Sequence, residues 1–136
     1  MSRRRLTATE VDLAVVRQRA LLVGTGIRTR DAEAAQASLE ELAALCDTAG
    51  ADPVELVLQR RDTPDPATYI GSGKAKELQE LADGLDIDLV VFDDELTPAQ
   101  QRNLERLFNV DVVDSVALIL DIFAQNALSQ EGMVLV

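Results

Sequence analysis

Histidine and tryptophan are absent from this 136-residue sequence. Without histidine, the chain has no Ser-His or Cys-His catalytic pair and no histidine ligand for zinc. Cys46 is the only cysteine, so an internal disulfide bond is excluded, and its Ala/Leu-rich surroundings predict a buried structural thiol. Tyr69 is the only tyrosine, which argues against the stacking of single-stranded bases on aromatic side chains.

Long apolar runs are also missing. No segment approaches the roughly 20 apolar residues that a membrane-spanning helix needs. The basic start of the chain, Arg3 to Arg5, is not followed by the apolar stretch of a secretory signal. We therefore expect a cytoplasmic protein with no membrane partner. The pattern Gly-x-x-x-x-Gly-Lys-[Ser/Thr] does not occur, which excludes a P-loop nucleotide hydrolase core.

The net charge of −11 is unevenly distributed along the sequence. Residues 1–76 contain 11 basic and 11 acidic residues, whereas residues 77–136 contain 2 basic and 13 acidic residues. The overall acidity argues against broad, nonspecific binding of nucleic acid. The neutral first half is still compatible with a local basic face.

Short apolar runs alternate with helical patterns four times. Strands are predicted at residues 19–23, 54–59, 88–92 and 110–113, and helices at 32–49, from 73 or 74 to 84, 98–108, and from 114 or 115 to about 127. Such alternation predicts an α/β fold, a small open parallel sheet of about four strands with helices packed on its faces. We expect an N-terminal arm or short helix at 1–18, the α/β domain at 19–127 and a tail at 128–136.

The turn formed by Gly71, Ser72, Gly73 and Lys74 is locally unusual. It places Lys74 and Lys76 near the start of a helix, where the helix dipole disfavours cations by a few tenths of a kcal/mol. This conflict suggests an anion, most simply phosphate, bound by backbone N–H groups and the two lysines. The alternative is that both lysines extend into solvent.

Two charged groups follow other predicted strands. Arg60 and Arg61 are candidates to join Lys74 and Lys76 in one cationic edge; alternatively, they pair with nearby carboxylates in a solvated network. The acidic run that starts with Asp93 and Asp94 is a candidate Mg²⁺ site. Its alternative role is to favour the start of the next helix.

Six linked motifs resemble one known family, the N-terminal domain of the HflX ribosome-associated GTPases. In order and spacing they are 38–42 (SLEEL), 47–50 (DTAG), 59–62 (QRRD), 64–74 (PDPATYIGSGK), 92–100 (FDDELTPAQ) and 118–125 (LILDIFAQ). The resemblance covers residues 19 to 126. In this resemblance, Gly71, Gly73 and Lys74 correspond to the family's glycine-lysine turn, and Arg60 and Arg61 correspond to its arginine pair. Its acidic loop falls on residues 93–95.

The resemblance implies a binding module that contacts rRNA of the large ribosomal subunit and a purine nucleotide, ATP or GTP with Mg²⁺. The helical hairpin and GTPase domain that follow in the family have no counterpart in residues 1–136, so we expect no GTP hydrolysis by this chain. Two other functions stay open: a weak Mg²⁺-dependent nucleotide hydrolase using Asp93 or Asp94, and a protein-interaction scaffold without nucleotide. The apolar last helix and tail also predict self-association or a partner there.

Overall fold

The computed structural model describes residues 17–29 and 31–134, with side chains described through residue 124. Strands and helices alternate along this part of the chain: β1 (Gln18–Gly24), α1 (Ala32–Thr48), β2 (Ala51–Leu58), α2 (Ser72–Gly84), β3 (Leu89–Phe92), α3 (Pro98–Phe108), β4 (Asp111–Asp114) and α4 (Ser115–Val134). The predicted α/β fold with a four-stranded parallel sheet is confirmed. None of the helices within the described residues is both long and apolar enough to cross a membrane.

The four strands are parallel and lie in the order β2-β1-β3-β4. In this register Leu22 of β1 lies beside Leu56 of β2 and beside Val91 of β3. The chain passes from β1 outward to β2 and then back across β1 to β3. The order therefore reverses between β1 and β3, and in open sheets a crevice forms at the carboxyl ends of the strands where this happens.

Each face of the sheet is covered by a pair of helices. Helices α1 and α4 cover one face, where the buried residues are Ala20, Leu22, Leu39, Leu42, Cys46, Ala51, Leu89, Val91 and Leu118. Helices α2 and α3 cover the other, with a buried cluster that includes Leu21, Val23, Ile70, Leu78, Val90, Phe92, Leu104 and Phe108. Because β1 and β3 are buried on both faces, they read as continuous apolar runs in the sequence.

Side chains cap the starts of α1 and α3. The Asp31 side chain accepts a hydrogen bond from the Glu33 N–H at the start of α1. At α3, Thr97 and Gln100 form a capping box, and Pro98 occupies the first helical position. Gly50 follows α1 with φ of +95°, the left-handed conformation expected after a helix.

The ends of the chain differ from prediction in one respect. Helix α4 continues to Val134 instead of ending near Ala127, so most of the predicted tail is helical backbone. The predicted N-terminal arm or short helix lies outside the described residues, apart from Arg17 and Gln18, and Gln18 already belongs to β1.

Candidate functional site

A buried polar contact joins the carboxyl ends of β1 and β3, at the point where the strand order reverses. The Thr25 hydroxyl donates to Asp94 Oδ2 over 2.7 Å, and both residues are buried. Arg28 Nε lies 3.3 Å from Asp94 Oδ1. The Asp94 carboxylate is therefore compensated on both oxygens, by a neutral donor from the interior and by a guanidinium group at the surface.

Tyr69 places the loop before α2 beside this contact. Burial, followed by the charge of Asp94, raises the pKa of Tyr69. The ring meets Phe92 edge to face, with 6.0 Å between centroids. Tyr69 has φ of +67°, a left-handed conformation that is rare for a residue with a large side chain. Two backbone hydrogen bonds with Asp65, of 2.9 and 3.0 Å, hold it there.

The neighbouring Asp93 faces the other side of the sheet edge. Its Oδ2 accepts a 2.8 Å hydrogen bond from the Ser38 hydroxyl, and its backbone carbonyl accepts one of 2.9 Å from Ser115. Burial raises the pKa of Asp93. Neither Asp93 nor Asp94 caps α3, because Thr97 and Gln100 do so. The aspartates instead connect β3 to α1 and to the loop after β1.

The glycine-lysine turn forms the start of α2. Gly71 is the residue before the helix, and among the described residues no side chain caps the helix N–H groups. The first turn contains no acidic residue. Ser72, Gly73, Lys74 and Lys76 are all exposed. Lys74 Nζ lies 3.5 Å from Glu77 Oε1, which is an exposed ion pair of small energetic value.

Arg60 holds the loop after β1. Its guanidinium group donates to the carbonyl oxygens of Gly26 and Thr29, both over 3.2 Å. Gly26 has φ of +67°, and a Cβ atom there would lie 2.0 Å from Arg60 Nη1. The glycine in this loop is therefore required both by the backbone conformation and by the close approach of the arginine.

Arg61 holds a different loop, the one that leads into the glycine-lysine turn. It donates to the carbonyl oxygens of Thr63 and Ile70 over 2.8 and 3.1 Å. Gly71, with φ of +89°, is so close that a Cβ atom would lie 2.9 Å from Arg61 Nη1. Arg61 thus lies beside the turn, whereas Arg60 is bound to the loop after β1.

The loop between Arg61 and Gly71 is also anchored on α3. Asp65 Oδ1 accepts from the N–H groups of Ala67 and Thr68, and these hydrogen bonds lower the pKa of Asp65. Gln100 donates to the Asp65 carbonyl over 2.8 Å, and Asn103 to the Ala67 carbonyl over 3.0 Å. The exposed turn at Gly71 therefore follows a loop with many fixed contacts.

The chemistry available at this edge is recognition by hydrogen bonds and charge. Across the described ranges, no three acidic, cysteine or histidine side chains are grouped as metal ligands. Asp94 already carries Thr25 and Arg28 on its two oxygens. The predicted Mg²⁺ site at Asp93 and Asp94 stays a prediction, and this arrangement offers it little room.

Comparison with known proteins places the chain in a family. Residues 36–124 match the sequence profile described as GTP-binding GTPase N-terminal. The chain belongs to this family. The matched region runs from α1 to α4, and together with the HflX relatives described next it confirms the resemblance to the N-terminal domain of the HflX GTPases.

Two relatives named GTPase HflX are considerably longer than this chain. GTPase HflX of Lacrimispora saccharolytica is 43% identical over 124 residues, which cover 91% of this chain and 29% of the relative. GTPase HflX of Escherichia coli K12 is 43% identical over 94 residues, which cover 69% of this chain and 22% of the relative. The chain therefore spans less than a third of the length of these relatives.

The fold also occurs in a solved structure. A GTP-binding protein from Sulfolobus solfataricus, crystallised in complex with GDP, superposes with a TM-score of 0.58 at 21% identity. The similarity covers 79% of this chain and 30% of that protein. At this level of identity, the match supports the fold alone.

The sequence did not predict four residues near the two aspartates Asp93 and Asp94: Thr25, Arg28, Ser38 and Tyr69. A signal was present for Thr25 and Asp94, since both follow predicted strands and so lie on the same edge of the sheet. Their pairing required the strand order, because the two residues are 69 positions apart. Nothing in the sequence signals the left-handed backbone of Tyr69.

Proposed function

We propose that this chain is a ribosome-binding module that contacts rRNA of the large subunit through the glycine-lysine turn. The observation that carries the proposal is the start of α2, where the N–H groups of Ser72, Gly73 and Lys74 lack a side-chain cap among the described residues. Helices α1 and α3 both have caps. An uncapped helix start with exposed lysines is suited to a phosphate oxygen.

The charges around the turn support the same assignment. Lys74 and Lys76 are exposed, and Arg61 lies beside Gly71. Lys74 lies in the same first turn as these N–H groups, so we assign it as the counter-charge of a phosphate bound there. Arg60 has its guanidinium group on the carbonyls of Gly26 and Thr29, so we assign it to holding the loop in the correct shape.

The test is co-sedimentation of the chain with purified large ribosomal subunits. The variant Lys74→Gln, Lys76→Gln removes both positive charges from the turn, and Arg102→Gln, Arg106→Gln removes two exposed charges from α3 as a matched control. We expect the wild type and the control to pellet with the subunits and the turn variant to remain in solution. Equal behaviour of the two variants, or no pelleting of the wild type, would contradict the proposal.

A purine nucleotide also carries phosphate groups and is therefore a second candidate ligand for the glycine-lysine turn. The relatives are named GTPases and the Sulfolobus protein was crystallised with GDP, so GTP is the first nucleotide to test, followed by ATP. Calorimetry with each nucleotide and Mg²⁺ measures this directly. Heat from the wild type that the turn variant abolishes would assign the nucleotide to the turn. Absence of heat at millimolar nucleotide would favour a module without nucleotide.

Hydrolysis by the chain has less support than binding. A weak Mg²⁺-dependent hydrolase would need Asp93 or Asp94 as a metal ligand, and Asp94 is already paired with Thr25 and Arg28. A sensitive phosphate-release assay with Asp93→Ala tests this alternative. Turnover that the substitution abolishes would favour the enzyme over the binding module.

The outer face of α4 supports the proposal of self-association or a partner. Val116, Ile119, Leu120 and Phe123 are exposed by 38% to 67% and recur at three- and four-residue steps, so they form one stripe. A row of large apolar side chains in water is unusual for a monomer and is typical of an interface. The side chains of the predicted tail lie outside the described part of the chain.

A further inference from the structure

A cleft of about 480 Å³ lies between α1 and α4, on the side of the sheet opposite the glycine-lysine turn. It reaches Asp93 at the carboxyl end of β3. Leu42, Leu45 and Ile119 form its apolar wall. Its volume falls in the range of about 300 to 1,000 Å³ that is typical of small-ligand sites.

The polar end of this cleft contains an oriented carboxylate. Ser38 donates to Asp93 Oδ2, and Ser115 donates to the Asp93 carbonyl. Within the described residues no donor is hydrogen-bonded to the second carboxylate oxygen, Oδ1. Asp93 therefore has a fixed position and one oxygen available for a ligand that carries N–H groups.

The local charge favours a cation in the cleft. Among the described residues, the negative charges of Asp94 and Glu41 and the positive charge of Arg28 act on Asp93. Arg28 is itself paired with Asp94. Counted over the described residues, negative charge is therefore in excess at the polar end, beside an aliphatic wall. The combination fits a ligand with a positive head and an alkyl stem.

We infer that the cleft binds an alkylammonium or alkylguanidinium group, with the cation on the Asp93 carboxylate and the alkyl stem along Leu42, Leu45 and Ile119. The group comes either from a free small amine or from a lysine or arginine side chain of a partner protein. The site is separate from the proposed phosphate site at the start of α2. It does not depend on ribosome binding.

The test is a titration followed by the amide NMR spectrum of the folded chain, with 1,4-diaminobutane and agmatine as free cations. Butanol, which has the same kind of stem and no charge, is the ligand control. We expect saturable shifts at Ser38, Leu42 and Ile119 with the two cations and none with butanol. Shifts scattered over the acidic surface without saturation would overturn the inference.

Matched variants locate the site. Asp93→Asn keeps the size of the side chain and removes its charge, and Asp83→Asn makes the same change at an exposed position on α2. We expect Asp93→Asn to weaken cation binding about tenfold or more and Asp83→Asn to leave it unchanged. Ile119→Lys, at a partly exposed position, supplies an ammonium group from the chain itself and should abolish binding. Full affinity in Ile119→Lys would overturn the inference.

A third experiment distinguishes a free small amine from a side chain of a partner protein as the source of the cation. A short apolar peptide with one central lysine, and the same peptide with norleucine in its place, are titrated beside the diamine. Tighter binding of the lysine peptide than of the diamine assigns the cleft to a partner side chain, and the reverse order assigns it to a free amine. Equal binding of the lysine and norleucine peptides, together with no binding of the diamine, contradicts a cation site.

Discussion

The Thr25 hydroxyl donates a 2.7 Å hydrogen bond to Asp94, and this contact joins the ends of two strands that are 69 positions apart in the sequence. It lies where the order of the parallel sheet reverses. Burial and the nearby charge of Asp94 raise the pKa of Tyr69, whose backbone is hydrogen-bonded to Asp65 in the loop that leads into α2. This polar contact thus links the end of β3 to the loop after β1.

Removal of the Thr25 hydroxyl should destabilise the domain. Thr25→Val keeps the shape of the side chain and leaves buried Asp94 without its interior donor, which costs about 1–3 kcal/mol. Urea unfolding followed by circular dichroism measures the free energy of unfolding. The control is Thr63→Val in an exposed bend, where we expect a change within about 0.5 kcal/mol. Equal effects of the two substitutions would contradict a stabilising role for this contact.

Alanine substitution should affect the stability of the domain differently at the two glycines of the turn. Gly71→Ala forces a side chain into φ of +89° and against Arg61, so we expect destabilisation of about 1–3 kcal/mol. A Cβ atom added at Gly73 would meet no neighbouring atom within 4 Å, and the residue lies inside α2, so Gly73→Ala should be neutral or stabilise by up to about 1 kcal/mol. Thermal unfolding of both variants decides between these outcomes. Similar losses in both would show that the turn tolerates no side chain at all.

Stability should fall at alkaline pH through Cys46. Burial raises the pKa of this thiol to about 11 from 9.0, so folding favours the protonated form. The contribution is complete below pH 9 and is lost as the pH rises toward 11, because the unfolded chain then loses the proton first. Unfolding of the wild type and of Cys46→Ala should therefore be compared from pH 8 to 11. We expect the stability advantage of the wild type to shrink over that interval, and a constant difference would refute this account.

The exposed stripe on α4 should drive association that depends on protein concentration. Phe123, exposed by 67%, is the most exposed large apolar residue of the described part of the chain. Phe123→Ser should shift the chain toward monomer in sedimentation velocity, whereas Gln36→Ser, on the exposed surface of α1, should leave the distribution unchanged. A wild type that stays monomeric at high concentration would contradict this prediction.

The sequence predicted the elements of the fold because their signals are local. The capping box of Thr97 and Gln100 and the apolar run of β3 are both visible within a few residues. The site depends on contacts between distant residues. Arg60 reads in the sequence as a free cation beside Arg61, yet it is bound to carbonyl groups of the loop after β1, which becomes adjacent only when β1 and β2 pair.

The measurement that tests the ribosome-binding account most directly is the salt dependence of binding to purified large subunits. Each lysine that neutralises a phosphate contributes about one unit to the slope of log affinity against log salt. The account predicts a slope lower by about two in Lys74→Gln, Lys76→Gln and an unchanged slope in Arg102→Gln, Arg106→Gln. A turn variant with the slope and affinity of the wild type would contradict the assignment of the glycine-lysine turn as the rRNA contact.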